Sequence, residues 1–238
     1  MKKLGVIGGL GPMATAFFME MIIDMTEAVV DQEHVEMIIH NCPQIPDRTS
    51  YILDKSKPSP VQPMIEIGKG LVEQKAQIIA IPCITANYFW EELSDNISVP
   101  IINPIIETAH YLKGIGIKKV GIMATDGTIQ SKIFEGIMVK NNIDVILPSK
   151  EKQGYVMDII YKNVKASQKV DIDKFNEVKK ELIGNGAQVI ALGCTELSMV
   201  RRDYEIGAGF LDVMQLLAKK SVEECARLRE EYRDIVTK

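Results

Sequence analysis

The chain has 238 residues, 46% of them apolar and 25% charged, with a net charge of −4 at neutral pH, which suffices for one large globular domain or two small ones. The acid excess and a pI near 5.5 exclude the basic footprint of a nucleic-acid binder. No apolar run approaches the roughly 18 residues that a membrane span requires. Glycines and a proline interrupt the amino-terminal MKKLGVIGGLGP, so it does not read as a signal peptide. A cytoplasmic protein with small-molecule partners, and with neither nucleic acid nor membrane among them, is expected.

Taken in chain order, the elements form a repeat. KKLGVIGGLGPMAT, residues 2–15, reads as a short buried strand, a glycine loop and a helical run. A second strand, VEMIIH at 35–40, precedes a helix that leads into AQIIAIPC at 76–83. VPIINPI at 99–105, a short apolar strand with two prolines, precedes the helix ETAHYLKG. The pattern then restarts with KKVGIMATDGTIQS at 118–131, IDVILP at 143–148, and AQVIALGC at 187–194. AQIIAIPC and AQVIALGC share five of eight residues and differ conservatively at two more. Each half therefore reads β-α-β-α-β. Continuous apolar strands alternating with helices predict parallel sheets covered on both faces.

The expected fold class is α/β, with two similar lobes related by a pseudo-twofold axis. Residues 1–100 plus 211–238 are assigned to the first lobe and 101–210 to the second. The closing segment DVMQLLAKKSVEECARLREEY is read as one helix, surplus to the second repeat and able to return to the first lobe.

Four cysteines, Cys42, Cys83, Cys194 and Cys225, show no CxxC or Cys/His ligand spacing, so neither disulfides nor a metal site is expected. His34, His40 and His110 are scattered. The glycine run lacks GxGxxG spacing and Pro12 falls where a dinucleotide-binding helix would open, so that reading is set aside. Cys83 and Cys194 end the repeated strands, at the carboxyl edge where open parallel sheets bind ligands. Each precedes a helix start, which is expected to lower a thiol pKa. One such cysteine alone is most simply a buried small hydrophobe. Two in equivalent positions suit proton removal on one face of a carbon and return on the other.

The motifs GGLGPMAT (8–15), PDRTSYI (46–52), PCITANYF (82–89), ATDGTIQS (124–131) and GCTEL (193–197) together resemble the cofactor-independent aspartate/glutamate racemase family, over essentially the whole chain and in the family's order. The resemblance implies a two-lobed fold with an interlobe active site, no pyridoxal phosphate or other cofactor, and a homodimer. It makes Cys83 and Cys194 the catalytic acid/base groups. Thr85, Thr125 and Thr128 match positions near the substrate carboxylate or amino group. Arg48 and Lys165 match the binders of the side-chain carboxylate. Gly11, Pro12 and Met13 of the first glycine loop and Glu196 of CTE complete the substrate contacts. Where the family usually has asparagine directly after the first cysteine and histidine four residues after it, this chain has Ile84 and Asn87, a departure that bears on the substrate. A related isomerase or lyase, or a noncatalytic carboxylate-binding protein of the same fold, is the alternative.

Overall fold

The computed structural model describes residues 1–238 as two α/β units, each built on its own parallel sheet. No helix is long and apolar enough to cross a membrane.

The first unit comprises Met1–Pro104 and Gln215–Asp234. Its sheet has the order β2-β1-β3, with β1 at Leu4–Gly8, β2 at Met37–Asn41 and β3 at Ile78–Ala80. Helix α1 (Pro12–Met25) joins β1 to β2. Helices α2 (Arg48–Leu53) and α3 (Val61–Glu73) join β2 to β3, and α4 (Trp90–Asn96) follows. All five residues of β1 are buried. Met64, Leu71, Ile79, Ile81 and Leu93 are fully buried in the adjoining core.

The second unit comprises Ile105–Met214 and Ile235–Lys238. Helix α5 (Pro104–Gly114) precedes its central strand β4 (Lys119–Met123), and α6 (Asp126–Gln130) and α7 (Ile133–Lys140) lead to β5 (Asp144–Ile146). The long crossover back to β6 (Val189–Leu192) holds α8 (Lys150–Met157), a π-helical turn at Asp158–Val164 and α9 (Ile172–Gly184). Helix α10 (Thr195–Asp203) and strand β7 (Phe210–Asp212) complete this unit, whose sheet is arranged β5-β4-β6-β7, and helix α11 (Val213–Cys225) belongs from Gln215 on to the first unit.

Two contacts explain why the repeat is written as it is. Gln77 and Gln188, the glutamines of the repeated AQ pair, receive the backbone N–H groups of Lys3 (3.2 Å) and of Lys118 and Lys119 (2.7 and 3.0 Å), and so tie the third strand to the start of the central one in both units. The alanines beside them set a second requirement. A Cβ on Gly5 would lie 2.9 Å from the Ala76 Cβ, and one on Gly121 would lie 3.2 Å from the Ala187 Cβ. Each central strand therefore needs glycine where the helix-to-strand turn crosses it.

The structure differs from the sequence reading in three places. VPIINPI forms only a parallel bridge, Ile79 with Ile101, because Pro100 and Pro104 have no N–H for a longer ladder. That bridge still puts Ile101 beside β3 as β7 lies beside β6, so α5 and α11 are equivalent and α11 is not surplus to the repeat. The closing helix stops at Cys225 instead of continuing to Tyr232. Beyond it the chain bridges Leu228 to Thr26, and backbone bonds join Glu27 to Arg227 and Arg229 to Met25. Finally, the divisions fall after Pro104 and Met214, a few residues beyond 100 and 210, since β7 hydrogen-bonds β6, and Ile235–Lys238 belong to the second unit instead of the first, since Val236 bridges to Leu211.

Candidate active site

Because all strands in each sheet are parallel, the loops after them gather at one edge per unit. In the first unit β1 runs into Gly9, whose φ of +89° and close approach to Cys42 admit no side chain: a Cβ would sit 2.4 Å from the Cys42 backbone. Gly11 then caps α1 with Pro12 as its first residue. Thr15 fastens this loop, accepting from Gly9 N (2.9 Å) and donating to Gly11 O (3.0 Å). Met13 is exposed.

After β2, Asp47 caps α2 by accepting from Ser50 N (2.7 Å), and Arg48 follows. Its Nη1 donates to the carbonyls of Ile45 (3.2 Å) and Pro46 (3.1 Å), while Nη2 donates to Leu10 O (3.2 Å). Arg48 thereby joins the β1 loop to the β2 loop as a held positive charge. After β3 comes Cys83, buried, at the head of a 3-10 turn, Ile84–Phe89. Its carbonyl accepts from Ala86 N (3.1 Å) and from Asn87 Nδ2 (3.0 Å). Ile84 and Thr85 are also buried.

The second unit repeats this with different chemistry. Thr125 caps α6, its Oγ1 3.3 Å from Thr128 N and 3.0 Å from Thr128 Oγ1. Gln153 of α8 supports the turn by donating to Ala124 O (3.0 Å) and to Asp126 Oδ1 (2.8 Å). Cys194 heads α10, and its Sγ–H donates to Glu196 Oε2 at 2.8 Å. Thr195 Oγ1 donates to the same oxygen at 3.2 Å. Lys165, just beyond the π-helical turn, brings its Nζ to 3.8 Å from Glu196 Oε1 and 4.3 Å from the centre of the Tyr161 ring. Thiol, carboxylate and ammonium thus form one group in which thiol and carboxylate are both buried. Such π turns recur at functional sites because the extra residue redirects a side chain.

The lowering of the thiol pKa expected from a helix start is outweighed at Cys194. Burial pushes this thiol well above its ordinary value, and the Glu196 carboxylate pushes it the same way, while Lys165 and the Glu196 backbone amide at the helix start offset them only in part.

Sequence reading missed the support beneath α10. Asp212, fully buried at the end of β7, accepts from Ser198 Oγ (2.7 Å) and Met214 N (2.9 Å), and Arg201 lies 3.5 Å away. A single aspartate closing the apolar run GFLDV is the signal that marks it.

Two α/β units, each on its own parallel sheet, make an architecture found among racemases of known structure. The Picrophilus torridus aspartate racemase is similar over 98% of this chain and 98% of its own, at 31% identity and a TM-score of 0.79. The glutamate racemase of Francisella tularensis, solved with D-glutamate, shares the fold at 18% identity and a TM-score of 0.66, over 94% of this chain and 80% of its own. A Bacillus subtilis protein, the broad specificity amino-acid racemase RacX, is 26% identical over 225 residues, covering 92% of this chain and 96% of that protein. The model of the Asp/Glu/hydantoin racemase family matches residues 7–220. The chain belongs to that family and is an enzyme of the amino acid racemase class.

Proposed function

We propose that the protein interconverts the enantiomers of an acidic amino acid, aspartate or glutamate, without a cofactor, and that Cys83 and Cys194 serve opposite faces of the α-carbon. The observation that carries this reading is the equivalence of the two thiols. Each follows the strand beside its unit's central strand, at the end of the same repeated sequence, and each heads a helical turn.

In one direction a thiolate removes the α-proton, forming S–H and leaving the electron pair to delocalise into the carboxylate. The other thiol then delivers its proton to the opposite face and becomes the thiolate. The contact at Cys194 supplies a route to its thiolate. When Cys194 acts as the base, its Sγ proton passes to Glu196 Oε2, leaving a thiolate beside a neutral carboxyl instead of two adjacent negative charges. Glu196 is in this reading a proton partner of Cys194 rather than a simple substrate contact.

Arg48 and Lys165 are proposed for the distal carboxylate, as a fixed guanidinium fork and a flexible ammonium. Thr85, Thr125 and Thr128, with the loop at Gly11, Pro12 and Met13, are proposed for the α-carboxylate and amino group. The likeness to a protein named aspartate racemase supports an acidic substrate. A cytoplasmic homodimer belongs to the same reading.

Incubation of the full chain in deuterated water with both enantiomers of aspartate, glutamate and a neutral panel tests the assignment. Exchange and racemisation of an acidic amino acid is the expected result. Exchange restricted to neutral amino acids removes Arg48 and Lys165 from the distal site, and no exchange with any of them overturns the reading.

A further inference from the structure

Asn87 has an unanswered acceptor in the turn that Cys83 heads. It lies four residues after Cys83 and is only 5% exposed. Its Nδ2 donates to Cys83 O at 3.0 Å, which fixes which end of the carboxamide is nitrogen and leaves Oδ1 as the other end. That Oδ1 is buried and has no hydrogen-bond partner. Proteins rarely keep such a group without a use for it. Of its buried companions in the 3-10 turn, Ile84, Ala86 and Phe89 have no side-chain donor, and the hydroxyl of Thr85 does not bond Asn87 Oδ1.

A bound ligand can supply the missing donor. The carboxylates of an amino acid have only acceptors at neutral pH. The α-ammonium has three N–H donors, occurs in every α-amino acid with a primary amine, and sits one bond from the carbon on which Cys83 acts. We infer that Asn87 Oδ1 accepts an N–H of the substrate α-ammonium, which makes Asn87 a specificity-determining residue for primary amines over deaminated acids. The inference rests on the assignment of Cys83 as an acid/base group. Entry requires the 3-10 turn to open slightly on binding, and its hydrogen-bond geometry makes it more yielding than an α-helix.

Calorimetric titration of the full chain with aspartate against succinate, glutamate against glutarate, and alanine against propionate tests it. Asn87→Leu, matched in size, and Asn87→Asp, which keeps an acceptor but loses the Nδ2 donor to Cys83 O, are compared with the parent. The expected result is an amino acid affinity roughly 10- to 100-fold weaker in Asn87→Leu. Affinity for the deaminated partner stays within about twofold, and Asn87→Asp keeps most of the preference for the amine. Equal losses for both members of a pair, no loss, or failure of Asn87→Asp to retain the amine preference overturns the inference and leaves Asn87 as a clamp on the Cys83 carbonyl. Binding is read independently of turnover. Absence of deuterium exchange in the parent therefore counts against the two-thiol reading, whereas the pairwise affinities decide on Asn87.

Discussion

The Cys194 thiol donates to the Glu196 carboxylate across 2.8 Å, inside a group from which solvent is nearly excluded. A hydrogen bond from S–H to an ionised carboxylate is strong in such a medium. It holds the proton between two atoms of which only one can be the base toward carbon.

Glu196→Gln keeps the shape and removes both the charge and the proton acceptor. The carboxylate adds to burial in raising the Cys194 pKa, so its loss is expected to move thiol ionisation to lower pH. Ultraviolet thiolate absorbance during alkaline titration measures this. Turnover is expected to fall by about 10²- to 10³-fold, as for loss of a positioned acid/base group. An unmoved titration with unchanged turnover would show that Glu196 has no part in proton transfer.

Cys83→Ser and Cys194→Ser are each expected to lower full racemisation by on the order of 10²- to 10⁴-fold, because a serine hydroxyl is far too weak an acid to replace a thiol. Each variant retains one thiol and should still exchange the α-hydrogen of one enantiomer, with the two variants selecting opposite enantiomers. Proton NMR in deuterated water follows this. Near-parental racemisation in either variant sinks the two-base assignment.

Arg48→Lys is expected to weaken the fold as well as any ligand contact. A lysine ammonium cannot reproduce the fork that reaches the carbonyls of Leu10, Ile45 and Pro46. The loss is about 1–3 kcal/mol, read as a lowered denaturation midpoint with no ligand present. An unchanged midpoint would mean that the two loops hold their positions without the guanidinium.

Cys225 gives an alkaline signature. Burial raises its thiol from the ordinary 9.0 to about 11. With the folded pKa above the unfolded one, the native state holds its proton longer. This contribution to stability is complete below pH 9 and is lost as the pH rises to about 11. The amount is at most ~2–3 kcal/mol. Cys225→Ala should therefore show a flatter decline of melting temperature than the parent across that window, and parallel declines would contradict the assignment.

Much of the fold was legible before any coordinates. β1, β3 and β6 are buried throughout, and β4 from its second residue on, in a pattern that depends on neighbours in sequence, and the duplicated AQ and glycine positions marked the two sheets as copies. The turns bearing Cys83 and Cys194 were equally legible, because they follow those strands directly. The length of the closing helix was not. Arg227 and Leu228 have helical neighbours, but Thr26, about two hundred residues earlier, offers them strand-like pairing, and tertiary contact overrides local preference there.

By itself the sequence determined two parallel α/β units and a cysteine at the carboxyl end of the third strand in each, since strand periodicity and repeat spacing are local properties. Only the tertiary structure decided the chemistry around them. The unanswered Asn87 Oδ1, the guanidinium bridging loops 38 residues apart, the Asp212 support under α10 and the raised Cys194 pKa are products of burial and of contacts made in three dimensions. Glu196 stands two residues from Cys194 in every conformation of the chain. Whether its carboxylate faces a substrate or the thiol depends on side-chain rotamers, on exclusion of water and on a lysine brought in from within the crossover, and none of these is written in local order.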